Sequence, residues 1–206
     1  LDKLTSHLQV ERYGDFWLTE AVRPGPQVPV VPCQGYRLDT YRDLQHRLRV
    51  PVLTAAVSRE QLFDLFLELL PPLGDVVDVV LETSHDSTRG RHLDLYREQI
   101  DMPVLSSHFY DFEDLLLNDG CTGVAVIATS APIEIQFDEH KLLYVYARDL
   151  TPFQAIFRSA GIACERKLKF ITEGEHVHRS DTRHNAAFQQ LCYRLGVGET
   201  AERVSW

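Results

Sequence analysis

Cysteine is scarce in this chain and never paired. The four present, Cys33, Cys121, Cys164 and Cys192, form no C-x-x-C, so zinc-finger spacing and a thioredoxin-type redox motif are both excluded. Cys164 and Cys192 each sit on an apolar face, which predicts small buried hydrophobes in a reducing compartment, and a cytoplasmic location is the expectation that follows. No apolar run reaches the length of a membrane span, and no secretory signal opens the chain, so no membrane partner is expected. The first residue is Leu1 rather than Met, which leaves room for a targeting segment ahead of it.

Positive charge is also short. Against 30 acidic residues stand 21 lysines and arginines, a formal net charge of −9 at pH 7. Binding a phosphate backbone needs a concentrated basic surface. The nearest grouping, Arg166, Lys167, Lys169, Arg179 and Arg183, is diluted by Glu165, Glu173, Glu175 and Asp181. No nucleic-acid partner is expected. Nor does the chain contain a P-loop, a G-x-G-x-x-G turn or a G-x-S-x-G nucleophile elbow.

What is present is a stretch that occurs twice. Leu38-Asp39-Thr40-Tyr41-Arg42 is followed by Pro51-Val52-Leu53, a helical run and Val76–Val80, ending in Thr83-Ser84. Leu93-Asp94-Leu95-Tyr96-Arg97 is followed by Pro103-Val104-Leu105, a helical run and Gly123–Ile127, ending in Thr129-Ser130. Each copy reads helix, strand, helix, strand. This pattern predicts an α/β fold: a mixed, mostly parallel central sheet flanked by helices, with an internal βα duplication and antiparallel additions toward both ends. The central strands are expected near 52–57, 76–82, 103–107 and 124–129, and the antiparallel pieces at 8–22, 133–147 and 162–171. At 206 residues, 44% of them hydrophobic, the chain suffices for one domain, 1–206; a break into 1–130 and 131–206 is the alternative.

Three helix signals stand out. Ser58 with Gln61 fits a capping box ahead of a run whose Leu62, Phe63, Leu65, Phe66, Leu67, Leu69 and Leu70 cover more than one face. Such a helix is either deeply buried or a subunit contact, and a homodimer follows from the second reading. Thr151-Pro152-Phe153-Gln154 predicts a second helix start, and a third helix is expected over 181–195 with Gly196 closing it.

Two groups of residues are candidates for chemistry. If the central strands run parallel, Thr83, Ser84, His85 and Asp86, then Ser106, Ser107 and His108, then Thr129 and Ser130, meet at one rim. Strand carboxyl ends and helix N-termini there favour a small anionic ligand. The second group is the His176-x-His178 pair, whose side chains point the same way in an extended segment, with His184, Asp181 and Glu175 nearby. The first group predicts a non-catalytic small-ligand-binding or regulatory protein with no resident cofactor, taking an anionic molecule or a protein partner. The second predicts a metal-dependent hydrolase in which His176, His178 and His184 hold a divalent transition metal.

Overall fold

Seven strands hydrogen-bond into a single sheet, and every pairing within it is antiparallel. The structure, a computed structural model, describes residues 7–43, 48–85 and 92–197; Asp86 lies outside them. In chain order the strands are β1 (Arg12–Tyr13), β2 (Phe16–Trp17), β3 (Val22–Pro24), β4 (Gly35–Asp43), β5 (Leu48–Ala56), β6 (Val76–Thr83), β7 (Leu93–Asp101), β8 (Thr122–Ala128), β9 (Ile133–Phe137), β10 (Leu142–Ala147) and β11 (His176–His178). The large sheet has the order β4-β5-β10-β9-β8-β6-β7.

The mostly parallel sheet expected from the repeat is therefore wrong. Parallel neighbours need a crossover of a dozen or more residues. Only residues 129–132 separate β8 from β9, and 138–141 separate β9 from β10. Spacings that short permit hairpins alone. The shared Leu-Asp-x-Tyr-Arg segment is a strand in both places, not a helix, and forms the two opposite edges of the sheet, β4 and β7. After it the copies diverge, since Pro51-Val52-Leu53 lies in strand β5 whereas Pro103-Val104-Leu105 lies in a helix. The strand expected at 103–107 fails because Pro103 occupies the first turn of that helix, where its missing N–H costs nothing. The segment 162–171 is not a strand either; its one ladder contact is a bridge from Cys164 to Tyr36.

Five α-helices complete the described chain: α1 (Arg59–Leu69), α2 (Met102–Asp111), α3 (Glu113–Asn118), α4 (Thr151–Ser159) and α5 (Thr182–Leu195). They share one core with a single face of the sheet. Alternation decides which face: Ile135 and Phe137 of β9 point in with Leu143 and Val145 of β10, while Glu134, Gln136, Tyr144 and Tyr146 take the other side. Phe66 of α1 is fully buried between Phe109 and Phe137, with ring centroids 5.4 and 5.2 Å away. The apolar surplus of α1 is spent inside this chain, since Leu62, Phe63, Leu65, Phe66, Leu69 and Leu70 are all buried. Among the described residues, no helix is long and apolar enough to cross a membrane.

Helix α1 starts where expected, but its capping box does not form. The Ser58 hydroxyl instead accepts the Trp17 N–H at 3.0 Å and bonds Glu60, tying the N-terminal hairpin to the helix. Helix α5 is capped as the residues suggest: Asp181 accepts the His184 N–H at 2.8 Å, and Gly196 closes the helix at φ +61°. Asp181→Ala is expected to lower stability by about 1 kcal/mol, the usual worth of such a cap. A urea midpoint shifted down at constant m-value checks it.

A second small sheet positions the functional region. Strand β11 pairs antiparallel with β3, Val177 opposite Arg23, and the pair is held at its ends by Gly25 N–H to Glu175 O and Arg179 N–H to Ala21 O, each 2.7 Å.

Candidate metal centre

Pairing with β3 keeps residues 176–178 extended, so His176 and His178, two apart, project from the same side of β11. A third imidazole meets them from the turn between β9 and β10. There Asp138 organises a tight reversal: its Oδ1 accepts the N–H groups of His140 and Leu142 at 3.0 and 2.9 Å, and its carbonyl accepts the Lys141 N–H. The turn closes with Lys141 at φ +62°. The His140 ring stands edge-on to both partners, with centroids 4.9 Å from His176 and 4.6 Å from His178; the latter two are 5.2 Å apart. One ring nitrogen from each of the three lies within 4.8 Å of the others, and all three residues are half-buried.

The outer side of each ring is fixed. His176 Nδ1 lies 2.8 Å from the Gly174 carbonyl, His178 Nδ1 lies 2.6 Å from the Gly120 carbonyl, and His140 Nδ1 lies 2.8 Å from Asp138 Oδ2. A carbonyl oxygen can only accept, so in His176 and His178 the proton sits on Nδ1. A carboxylate imposes the same on His140. In the neutral ring the lone pair is then left on Nε2 in all three. This outer-shell arrangement accompanies metal-ligating histidines, fixing tautomer and orientation and raising ligand basicity. A tetrahedral zinc with bonds of about 2.0–2.1 Å wants its nitrogens about 3.4 Å apart. Seating the ion would draw the rings together by at most about 1.4 Å.

The surrounding charges are mixed. Burial opposes the His140 imidazolium, but the hydrogen bond and charge of Asp138 outweigh it and raise its pKa. Burial lowers His178, and the hydrogen bond to Gly120 only partly offsets that. Glu139 lies beside both, its Oε2 accepting the Ser84 hydroxyl at 3.0 Å. Lys141 is buried and held at about 8 by desolvation, against the pull of Asp138, Asp119 and Glu139. Its Nζ donates to the Thr122 carbonyl at 2.8 Å and sits 5.3 Å from the Phe137 ring centroid.

Asp138→Asn tests the outer shell. The amide keeps an oxygen to hold the turn, but its NH2 cannot accept the His140 Nδ1–H. Zinc affinity is expected to fall 10–100-fold, the usual cost of losing such a partner, in a competition titration against a chelating dye.

Of the residues singled out in the sequence, the structure brings His176 and His178 together but leaves His184 elsewhere. His184 is buried at the start of α5, its ring nitrogens 3.5 Å from Asp181 and 3.6 Å from Asp114. The rim does not assemble. Thr83 pairs with Thr122 at one end of the sheet, whereas Ala128 pairs with Val77 at the other, where the Thr129 hydroxyl donates to Val76 O at 3.1 Å. Thr129 and Ser130 are exposed there, and Ser106, Ser107 and His108 lie within α2. Among the described residues of that group, Ser84 and His85 come nearest the three histidines, Ser84 through Glu139 and His85 through Asp119.

No family model, curated protein or solved structure matches the chain. Its chemistry must come from the donors themselves. His140 carried no signal in the sequence beyond being a turn residue. Its role depends on the β9–β10 hairpin lying next to β11, a contact between segments far apart in the chain.

Proposed function

We propose that the chain is a metal-dependent protein of hydrolytic type, with one divalent transition ion held by His140, His176 and His178. The observation that carries this reading is three imidazoles with one ring nitrogen each within 4.8 Å of the others, each ring braced through Nδ1 so that its Nε2 lone pair is left free. Three neutral imidazoles suit zinc among the common divalent ions, with cobalt or nickel as substitutes. Structural zinc sites are closed by four protein ligands, whereas three leave a position open to water. The three histidines are half-buried rather than sealed, in keeping with an open position. Bound zinc lowers the pKa of its water to about 7 and so supplies hydroxide at neutral pH. Glu139, adjacent in the turn and hydrogen-bonded to Ser84, is the residue assigned to take up or return the proton. A carboxylate or phosphoester oxygen would suit the open position of such an ion.

The test begins with the full chain purified without added metal, stripped by chelator and titrated with zinc. Uptake at stoichiometry, with chelator-sensitive turnover of ester or phosphoester substrates restored by zinc, supports the reading. A protein that takes up no zinc overturns it. Zinc bound without turnover on any such substrate would retain the metal site and remove the hydrolase.

A further inference from the structure

Beside the three histidines lies a second set of donors. We propose that His85, Asp119 and Cys121 form a second transition-metal site with one nitrogen, one oxygen and one sulfur ligand. One candidate ligand atom from each lies within 4.8 Å of the others.

The deciding observation is the state of His85. Its side chain is only 8% exposed, and its Nε2 stands 2.9 Å from Asp119 Oδ2. That nitrogen is buried, and its close contact with the carboxylate does not meet hydrogen-bond geometry; it makes no hydrogen bond among the described residues. An ion shared by the two groups would satisfy a buried nitrogen that the carboxylate beside it does not hydrogen-bond. Two donors on a tetrahedral zinc, each at about 2.0–2.1 Å, stand about 3.4 Å apart. The His85–Asp119 pair, 2.9 Å apart, need part by only about 0.5 Å to share an ion. On its other side the His85 ring packs 5.7 Å from Phe188, so the imidazole is seated by the core.

Asp119 is fully buried and still ionised. Burial disfavours its charge, but the close contact with His85 and the hydrogen bonds from Ser180 and Thr122 outweigh that and hold the carboxyl at about 2. Thr122 Oγ1 donates to Oδ2 at 2.5 Å, and the Cys121 N–H approaches Oδ1 at 3.3 Å, which orients the carboxylate. A turn-forming part for Asp119 explains those two bonds but does not by itself require His85 and Cys121 beside the carboxylate. Cys121 is half-buried, and burial pushes its thiol up, so without metal it stays protonated. Coordination replaces the S–H bond with a sulfur–metal bond and releases the proton to solvent. A nitrogen, carboxylate and thiolate set selects zinc or cobalt over calcium or magnesium.

The two sites share a strut. Asp119 and Cys121 flank Gly120, whose carbonyl braces His178 Nδ1 of the first site. Nevertheless, the second site stands on its own donors and does not require the first to be filled.

Cobalt titration of the stripped full-length chain separates them, because a thiolate ligand gives a sulfur-to-cobalt charge-transfer band in the near ultraviolet and imidazoles alone do not. Wild type is expected to bind two equivalents and show the band. Cys121→Ser is expected to lose the band and one equivalent, and His85→Ala to lose one equivalent while its far-ultraviolet dichroism stays native. The His176→Ala, His178→Ala double variant should lose one equivalent and keep the band. If wild type shows the band at one equivalent and the double variant is unchanged, the second site stands and the three-histidine reading falls. No band in wild type, or a band that survives Cys121→Ser and so arises at Cys33, Cys164 or Cys192, overturns the second site.

Discussion

Alanine at His140, His176 or His178 is expected to weaken zinc binding by about two to three powers of ten in each case. A four-ligand structural zinc site contributes about 10–16 kcal/mol, so one ligand contributes about 2.5–4 kcal/mol, equivalent to roughly 10²–10³-fold in the dissociation constant. The three losses should be similar in size, because each ring is braced through its own Nδ1 and none is a peripheral member. Making the measurements in a Cys121→Ser background lets the histidines report alone. His108→Ala, within α2, is the control and should leave affinity unchanged. Competition with a chelating dye reads the affinity, and far-ultraviolet dichroism of the apo protein checks that the fold survives. Wild-type affinity in the His140 variant would remove the turn from the site and with it the three-ligand centre.

How the residues announce their structure varies along the chain. Alternation made β9 and β10 legible: Ile133, Ile135 and Phe137 against Glu134 and Gln136 can form little except a strand with one wet face. The span of α5, expected over 181–195, was legible from its apolar stripe and from Gly196, because left-handed closure is local chemistry. The Leu-Asp-x-Tyr-Arg segments misled. Their leucines and tyrosines fit a helical stripe, but Tyr41 and Tyr96 are equally at home in strands, and the partners β5 and β6 decide the matter. The repeat was overvalued for a related reason. Pro-Val-Leu is compatible with a buried strand and with the first turn of a helix, and only tertiary context separates β5 from α2. For the site, the H-x-H spacing was visible, because a period of two is a property of one strand. The third ligand was not. His140 and His176 are brought together by the pairing of β11 with β3 and by the placement of that small sheet beside the β9–β10 turn. His85 and Cys121 met for the same reason, through the antiparallel pairing of β6 and β8, where Ser84 N–H bonds Cys121 O at 3.0 Å.

Gly120→Ala is expected to cost at least about 3 kcal/mol, the upper end of ordinary overpacking and beyond. The reason is what surrounds the missing methyl. A Cβ at this position would stand 2.3 Å from the Ala21 carbonyl oxygen, 2.8 Å from Arg179 O and 2.9 Å from Arg179 N. All three are backbone atoms, and none can swing aside as a flexible side chain would. They are also bonded to one another and to the glycine: Arg179 N–H donates to Ala21 O at 2.7 Å, and Gly120 N–H donates to Arg179 O at 2.8 Å. Relieving the clash therefore means parting the β3–β11 sheet from the loop ahead of β8. Arg179 follows His178 directly, and the Gly120 carbonyl is the brace on His178 Nδ1, so the strain falls on the three-histidine cluster. Zinc affinity should drop a further 10–100-fold through loss of that brace. A loss of about 3 kcal/mol corresponds to a melting point about 6–12 °C lower for a chain of this size. Gly123→Ala is the contrast. Its Cβ would meet Glu139 N and Glu82 Oε2 at 3.4 Å and Asp138 Cα at 3.5 Å, ordinary contact distances. A change of less than about 1 kcal/mol is expected there, since a glycine removed without clash also trims the entropy of the unfolded chain. Equal melting points for the two variants would mean that Gly120 is not the junction between the small sheet and the loop carrying Asp119 and Cys121.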